Sequence, residues 1–353
     1  MLAITDFLKG AHGQMDMQAA ETKVKNWAIA HASSLGLNPA RIDVHSIWNP
    51  GGLTNQSYRV SDGNTTRHFK LAPPKKADRL KRWASVSSEL AERYHAPRLI
   101  AEIKEEIVPG YTYGLVLEFI KGKPLSEAAD PGPVAIKVLE LLQRLQQDER
   151  IREILAEAEA APSYTDAFIE EYMERFEEDM EGIRAEKESL DFVTEPDLDG
   201  FDREVEVLRQ LASDSPAFQH TANDVVHNDI HWDNILVEDS GRFWIIDWDD
   251  LSAAGDAAMD YSVLLWTLHE SEEWPRWQEQ ALELAGKSTG ISERLELYFR
   301  AKLLDDVIDV LADYVEASGV PEWMEKTRQR AKAIHLRAYP EYIKRYGALA
   351  ARP

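Results

Sequence analysis

The chain has no cysteine in its 353 residues, which excludes disulfides, thiolate metal sites and a cysteine nucleophile. It has no apolar run approaching the roughly 18 residues that a membrane-spanning helix requires. Asp6 interrupts the first apolar stretch and no basic region precedes it, so a secretory leader is not expected. Positive charge is scarce: 40 Lys+Arg against 63 Asp+Glu give a net charge of −23. That balance repels a polyanionic backbone and an anionic bilayer, so neither nucleic acid nor membrane is an expected partner. An acidic surface either attracts a cationic small molecule or serves only solubility. Internal repeats and low-complexity tracts are absent as well. The expectation is a cytoplasmic, metabolite-using protein, long enough to bury a sizeable core and to divide into two lobes. Its oligomeric state leaves no trace in the sequence.

The most informative stretch is 225–250, VVHNDIHWDNILVEDSGRFWIIDWDD. Its β-branched and aromatic runs flank Asp239-Ser240-Gly241, a pattern that predicts a β-hairpin. The loop before the hairpin carries Asp229 and Asn234, and the second strand ends on Asp247, Asp249 and Asp250. Phosphoryl transfer from a nucleotide needs such a set. One carboxylate orients the acceptor hydroxyl and takes its proton, while an amide oxygen and a second carboxylate hold Mg²⁺ through hard oxygen ligands. His227-x-Asp229-x-x-x-x-Asn234 has the spacing of a kinase catalytic loop, with Asp247 where the metal-binding aspartate of the next strand belongs.

These residues resemble the aminoglycoside phosphotransferase and choline kinase superfamily, small-molecule kinases with a protein-kinase-like fold. Members usually carry H-G-D-x-H-x-x-N, so Asn228 replaces a glycine. The resemblance implies an α+β, two-lobed fold, with a small antiparallel-sheet N-lobe and a larger, mostly helical C-lobe. Residues 1–40 are expected to be an N-terminal helical addition, 41–120 the N-lobe and 121–353 the C-lobe. Asp229 is the expected catalytic base, Asn234 and Asp247 the metal ligands, and Asp249 either assists the metal or braces the loop. His227 and His231 are assigned to structural bracing of the site. The implied cofactors are Mg²⁺ and ATP, with GTP left open, and the implied partners are the nucleotide and a small-molecule acceptor.

Earlier in the chain, Gly51-Gly52-Leu53-Thr54-Asn55 joins two expected strands. Glycine lets a backbone approach phosphate closely, and Thr54 and Asn55 can donate to it; the run is similar to the nucleotide loop of choline-kinase-like members. Lys70 lies on an apolar-flanked strand, a costly place for a lone ammonium unless an anion meets it. The family places a phosphate-binding lysine there, and its helix partner, usually a glutamate, falls on Trp83. Glu89 and Asp78 are the remaining acidic candidates for pairing with Lys70. The backbone at Glu118, Phe119 and Ile120 is expected to meet the adenine edge, as the family's hinge does. The C-lobe is expected to be helical over 134–147, 164–183, 259–269, 291–317 and 321–346 from apolar spacing.

For the acceptor, acidic helix faces point to a cation. Between Ser163 and Phe192 eleven acidic residues face three basic ones, and Asp305, Asp309 and Asp313 are spaced four apart. Trp266, Trp274, Trp277 and Trp323 are candidates for an aromatic cage around a quaternary ammonium, or for plain core. An amino alcohol and an aminosugar or aminoglycoside are the two acceptor classes implied. Three alternatives remain at this level. One is a catalytically weak pseudokinase or binding protein, suggested by Trp83. Another is a glycosyltransferase using Asp247-Trp248-Asp249 as a D-x-D metal site. The last is a hydrolytic metal site built from His227, Asp229 and His231.

Overall fold

The computed structural model describes residues 10–47, 55–155, 161–269, 271–285, 290–316 and 323–350. In chain order the elements are α1 (Gly10–Ala30), α2 (Ala32–Leu35), β1 (Asp43–Ile47), β2 (Gln56–Ser61), β3 (Thr66–Ala72) and α3 (Pro74–Arg93). They continue with β4 (Leu99–Ile103), β5 (Tyr113–Glu118), β6 (Lys123–Pro124), α4 (Gly132–Leu145), α5 (Glu149–Leu155), α6 (Tyr164–Phe168), α7 (Glu174–Ala185) and α8 (Glu195–Asp214). The remainder is β7 (Asp224–Val226), β8 (Ile235–Val237), β9 (Phe243–Ile245), β10 (Ser252–Gly255), α9 (Ala257–His269), α10 (Trp274–Ala285), α11 (Ile291–Glu316) and α12 (Trp323–Ala350). Internal contacts divide the chain into two units, one of residues 1–134, 148–156 and 227–252, the other of 135–147, 157–226 and 253–353.

The first unit is built on a five-stranded antiparallel sheet in the order β1-β2-β3-β5-β4. On one side α1 contributes Val24 and Ala28, fully buried, to a core with Tyr58, Val60, Phe69, Leu71 and Val116. Gly36 ends that helical region in the left-handed conformation (φ 66°), the role glycine plays at helix C-termini. Because side chains alternate along a strand, Phe69 and Leu71 join that core while Lys70 between them points away from it. On α3, Pro74 opens the first turn and Ala77, Leu80, Trp83, Val86 and Leu90 form the buried stripe, the spacing that covers one helix face.

Gly114 on β5 sits beside this lysine. A Cβ there would lie 2.5 Å from Leu71 Cδ2 and 2.9 Å from the Lys70 carbonyl oxygen. Gly114→Ala is therefore expected to push β3 aside and to cost about 1–3 kcal/mol, as overpacking a filled core does. Urea unfolding measures that loss.

A second sheet in the same unit pairs β6-β8-β9. Its β8–β9 hairpin has Ile235 opposite Ile245 and Val237 opposite Phe243, with Gly241 turning the chain at φ 80°. The strand is pinned to the end of α3 by Ile245 N–H donating to the His95 carbonyl at 3.1 Å. The sequence places this hairpin in the same residues.

The second unit is helical apart from the β7–β10 pair. The helix expected over 164–183 is α6 and α7 joined by a π-helical turn, Ile169–Met173. Phe168, Tyr172, Phe176, Phe218 and Tyr298 pack as a fully buried aromatic core. The same unit holds two buried ion pairs, Arg294 with Asp256 at 3.0 Å and Arg300 with Glu204 at 2.7 Å. Asp256 also accepts from the Ala258 backbone N–H at 2.9 Å, so its work is structural. No helix among the described residues is long and apolar enough to cross a membrane.

Candidate active site

Every described residue of the expected phosphotransfer set lies in the first unit. Lys70, Asp229, Asn234 and Asp247 line one cleft of about 820 Å³ with Trp83, Glu118, Phe119 and Ile120. Gly51, Gly52 and Thr54 lie outside the described residues.

The loop after β7 is fixed through its histidine. His227 is fully buried. Its Nδ1 accepts the Asp229 backbone N–H at 3.2 Å, and its Nε2 contacts the Ile246 carbonyl at 3.0 Å and donates to it. Burial holds its pKa down at about 4, so the ring is neutral and ties the loop to the strand end bearing Asp247. Both ring nitrogens are spent, which argues against the hydrolytic metal reading. The next residue, Asn228, takes the left-handed conformation at φ 67°, a region open to glycine. Its Nδ2 donates to the Asp250 carbonyl at 2.8 Å. Asparagine tolerates this region better than most residues. Asn228→Ala is expected to cost about 1–3 kcal/mol in chemical denaturation, through strain and the lost hydrogen bond. Asn228→Gly should cost less than half as much.

Asn234 grips the expected base. Its Nδ2 donates to Asp229 Oδ2 and to the Asp229 carbonyl, each at 2.9 Å. The amide is 7% exposed. His231 Nε2 stands 3.5 Å from Asp229 Oδ1 and 3.2 Å from Asn234 Nδ2. Burial pushes the Asp229 carboxyl above the usual range, opposed by His231 and reinforced by Asp247. A base with a raised pKa takes a hydroxyl proton more readily in the transition state.

Asp247 follows β9 in a left-handed turn (φ 63°). The turn is held by buried Trp248, whose Nε1 donates to the Ile245 carbonyl at 2.8 Å and whose ring packs on His227 at 4.6 Å. Lys70 reaches this turn from β3, donating to Asp247 Oδ1 and lying 2.7 Å from Asp249 Oδ2. Burial alone would pull the Lys70 ammonium down, but the two carboxylates outweigh it and its pKa is raised. Burial pushes Asp249 up to about 6, with Lys70 opposing and Asp247 reinforcing. Asp247 stays below the ordinary range, because Lys70 outweighs the effect of its burial.

The expected helix partners do not meet this lysine. Glu89 pairs with Arg150 at 2.7 Å and Asp78 with Lys81 at 2.8 Å, a correction to the expectation that Glu89 answers Lys70. Helix spacing places Glu89 six residues beyond Trp83, where another base stands nearer. Trp83 itself is 1% exposed, with its ring centroid 5.9 Å from Lys70 Nζ. Sequence reasoning missed that contact, and also the reach of α3 to the turn after Asp247 through Arg79 with Asp250 and Arg82 with the Leu251 carbonyl at 3.1 Å. Only the departure at position 83 hinted at it.

The donor chemistry fits Mg²⁺. Asp247 and Asn234 offer hard oxygens, and no group of three or more His, Asp or Glu among the described residues forms a ready metal cage. Mg²⁺ typically takes one or two protein ligands and completes its octahedron with phosphate and water.

In the second unit the acidic helix is partly neutralised from within. Asp305 pairs with Arg175 and lies 2.8 Å from Lys302, and Asp306 lies 3.7 Å from Arg337. Asp309 is pushed up to about 7 by burial and by the neighbouring Asp305 and Asp313. Trp266 and Trp274 pack with His269 and Phe299 rather than around an open space.

Comparison with known proteins gives concordant results. Residues 49–298 match the model of the phosphotransferase enzyme family. A search of curated proteins finds no match. Among solved structures, a GDP complex of wild-type aminoglycoside 2'-phosphotransferase-IIIa is similar at 13% identity and TM-score 0.57, over 89% of this chain and 99% of that one. Spectinomycin phosphotransferase in complex with ADP and spectinomycin is similar at 13% identity and TM-score 0.57, over 84% of this chain and 92% of that one. Plasmodium vivax ethanolamine kinase is similar at 14% identity and TM-score 0.53, over 88% of each chain. These likenesses establish a protein-kinase-like α+β fold. The family match also removes the glycosyltransferase reading of Asp247-Trp248-Asp249.

Proposed function

The chain belongs to the phosphotransferase enzyme family, and from that premise we propose that it moves the γ-phosphate of ATP to a hydroxyl of a small cationic molecule, with Asp229 as the base. The observation that carries this reading is one cleft holding Lys70, Asp229, Asn234 and Asp247 together. Lys70 binds the nucleotide phosphates, and Asp229 takes the proton from the acceptor oxygen as the new P–O bond forms. Asn234 holds the Asp229 carboxylate in place, so the base waits in its reactive geometry and little is lost to reorientation. When bound, Mg²⁺ held by Asp247 and the Asn234 oxygen supplies neutralisation of phosphate charge. The backbone at Glu118 to Ile120 would meet the adenine. Cytoplasmic function fits a nucleotide-using enzyme without cysteine.

The net charge of −23 supports a cationic acceptor, because it draws cations. Amino alcohols and aminosugars, including aminoglycosides, satisfy it. A panel of amino alcohols, aminoglycosides, neutral sugars and macrolides, scored by stimulated ADP release, tests the assignment. Stimulation confined to amine-bearing acceptors is expected; stimulation only by neutral ones would contradict it.

A further inference from the structure

We propose that Asp249 is the positioning carboxylate of Lys70, in place of a helix glutamate, and that Trp83 walls the helix side of the same lysine. This rests on the reading above that Lys70 holds the nucleotide phosphates.

One oxygen of Asp249 does double duty. Asp249 Oδ2 lies 2.7 Å from Lys70 Nζ and accepts from Asn55 Nδ2 at 2.6 Å. The other oxygen, Oδ1, is buried with no hydrogen-bond partner among the described residues. The side chain is 9% exposed, against 29% for Asp247. A carboxylate that is buried and shared between two donors is fixed in place. Asp247 is the more accessible of the two, so it is the one free to turn toward a phosphate-bound cation. Lys70 then remains held by Asp249.

The helix side offers no carboxylate to compete. Trp83 Nε1 is buried without a partner among the described residues, and its ring stands 5.9 Å from Nζ, within the range of cation–π attraction. An uncharged ring there leaves Asp249 as the remaining anchor. The helix acts instead on the segment that carries Asp249, through Arg82 to the Leu251 carbonyl at 3.1 Å and Arg79 to Asp250. Asp249 is thus assigned to Lys70 rather than to the metal.

The test moves the carboxylate back to the helix. Asp249→Asn is expected to raise the nucleotide KM about tenfold, with a smaller fall in kcat. Adding Trp83→Glu to Asp249→Asn should recover at least about fivefold of kcat/KM, because the two positions flank one ammonium and couple through it. A double variant that melts like Asp249→Asn but recovers nothing overturns the proposal. Binding of Mn²⁺ to Asp249→Asn in the presence of nucleotide, read by electron paramagnetic resonance, applies even where the double variant does not fold. Affinity within about threefold of wild type supports the assignment, and a loss of about tenfold or more, the size expected for a removed metal ligand, overturns it. Lys70→Ala separates the two levels: unchanged nucleotide binding there would sink the underlying reading, whereas weakened binding with no rescue by Trp83→Glu would sink only this inference.

Discussion

Asp229→Asn is expected to lower kcat by about a thousandfold, the middle of the range a positioned general base contributes. Nucleotide KM should change by less than about threefold, because the lost interaction acts mainly in the transition state. The substitution is nearly isosteric, and the new amide oxygen can still accept from Asn234 Nδ2, which now donates to Asp229 Oδ2 at 2.9 Å. Folding should survive, since burial already disfavours the charged form of Asp229. The same burial sets the sign of the pH dependence. Activity needs the deprotonated carboxylate, so kcat/KM falls as pH drops through a pKa lying above the usual carboxylate range. Asp229→Asn should abolish that acidic limb in whatever activity remains. Steady-state kinetics across pH, with circular dichroism to confirm folding, checks both expectations.

Asp247→Asn is the second large effect expected, a loss of about three orders of magnitude in kcat/KM that excess Mg²⁺ restores only in part. Asparagine suits the backbone here, because it tolerates the left-handed region that Asp247 occupies at φ 63°. The loss therefore reports charge, not a broken turn. Stability should fall by only about 1–3 kcal/mol, less than for breaking an isolated buried pair, because Lys70 keeps Asp249 at 2.7 Å. A Mg²⁺ titration of activity and a urea unfolding curve measure the two effects separately.

What the sequence revealed and what it hid divide along chain distance. The β8–β9 hairpin, the Asp229 to Asn234 loop and Asp247 were legible because their geometry is set within about twenty residues, by strand patterning and a turn sequence. Their convergence on Lys70 came from resemblance to a family with the same spacing. The partners of that lysine were not legible. Asp247 and Asp249 stand 177 and 179 positions further on, and no local pattern records that the sheet and the hairpin bring them together. Helix periodicity drew attention to Glu89, yet Arg150 of α5 claims it at 2.7 Å. Helix α8 escaped pattern reading although Thr194 and Asp197 form a reciprocal cap at its start; acidic residues and Gly200 in its first turns blur the apolar stripe. In the second unit, apolar spacing predicted continuous helix over 164–183 and gave no sign of the π-helical turn at Ile169–Met173. Asn228 was the clearest gain from the structure: it stands where glycine is usual and takes the left-handed conformation at φ 67°, which glycine adopts without strain.

The central claim is that Lys70, Asp229, Asn234 and Asp247 form one phosphotransfer centre. Phosphorus NMR of the wild-type chain with Mg²⁺, ATP and an acceptor from the amine-bearing panel tests it most directly. A phosphomonoester signal growing in step with ADP, and absent with Asp247→Asn, is the predicted result. ADP accompanied only by inorganic phosphate, or an undiminished phosphomonoester signal from Asp247→Asn, would contradict it.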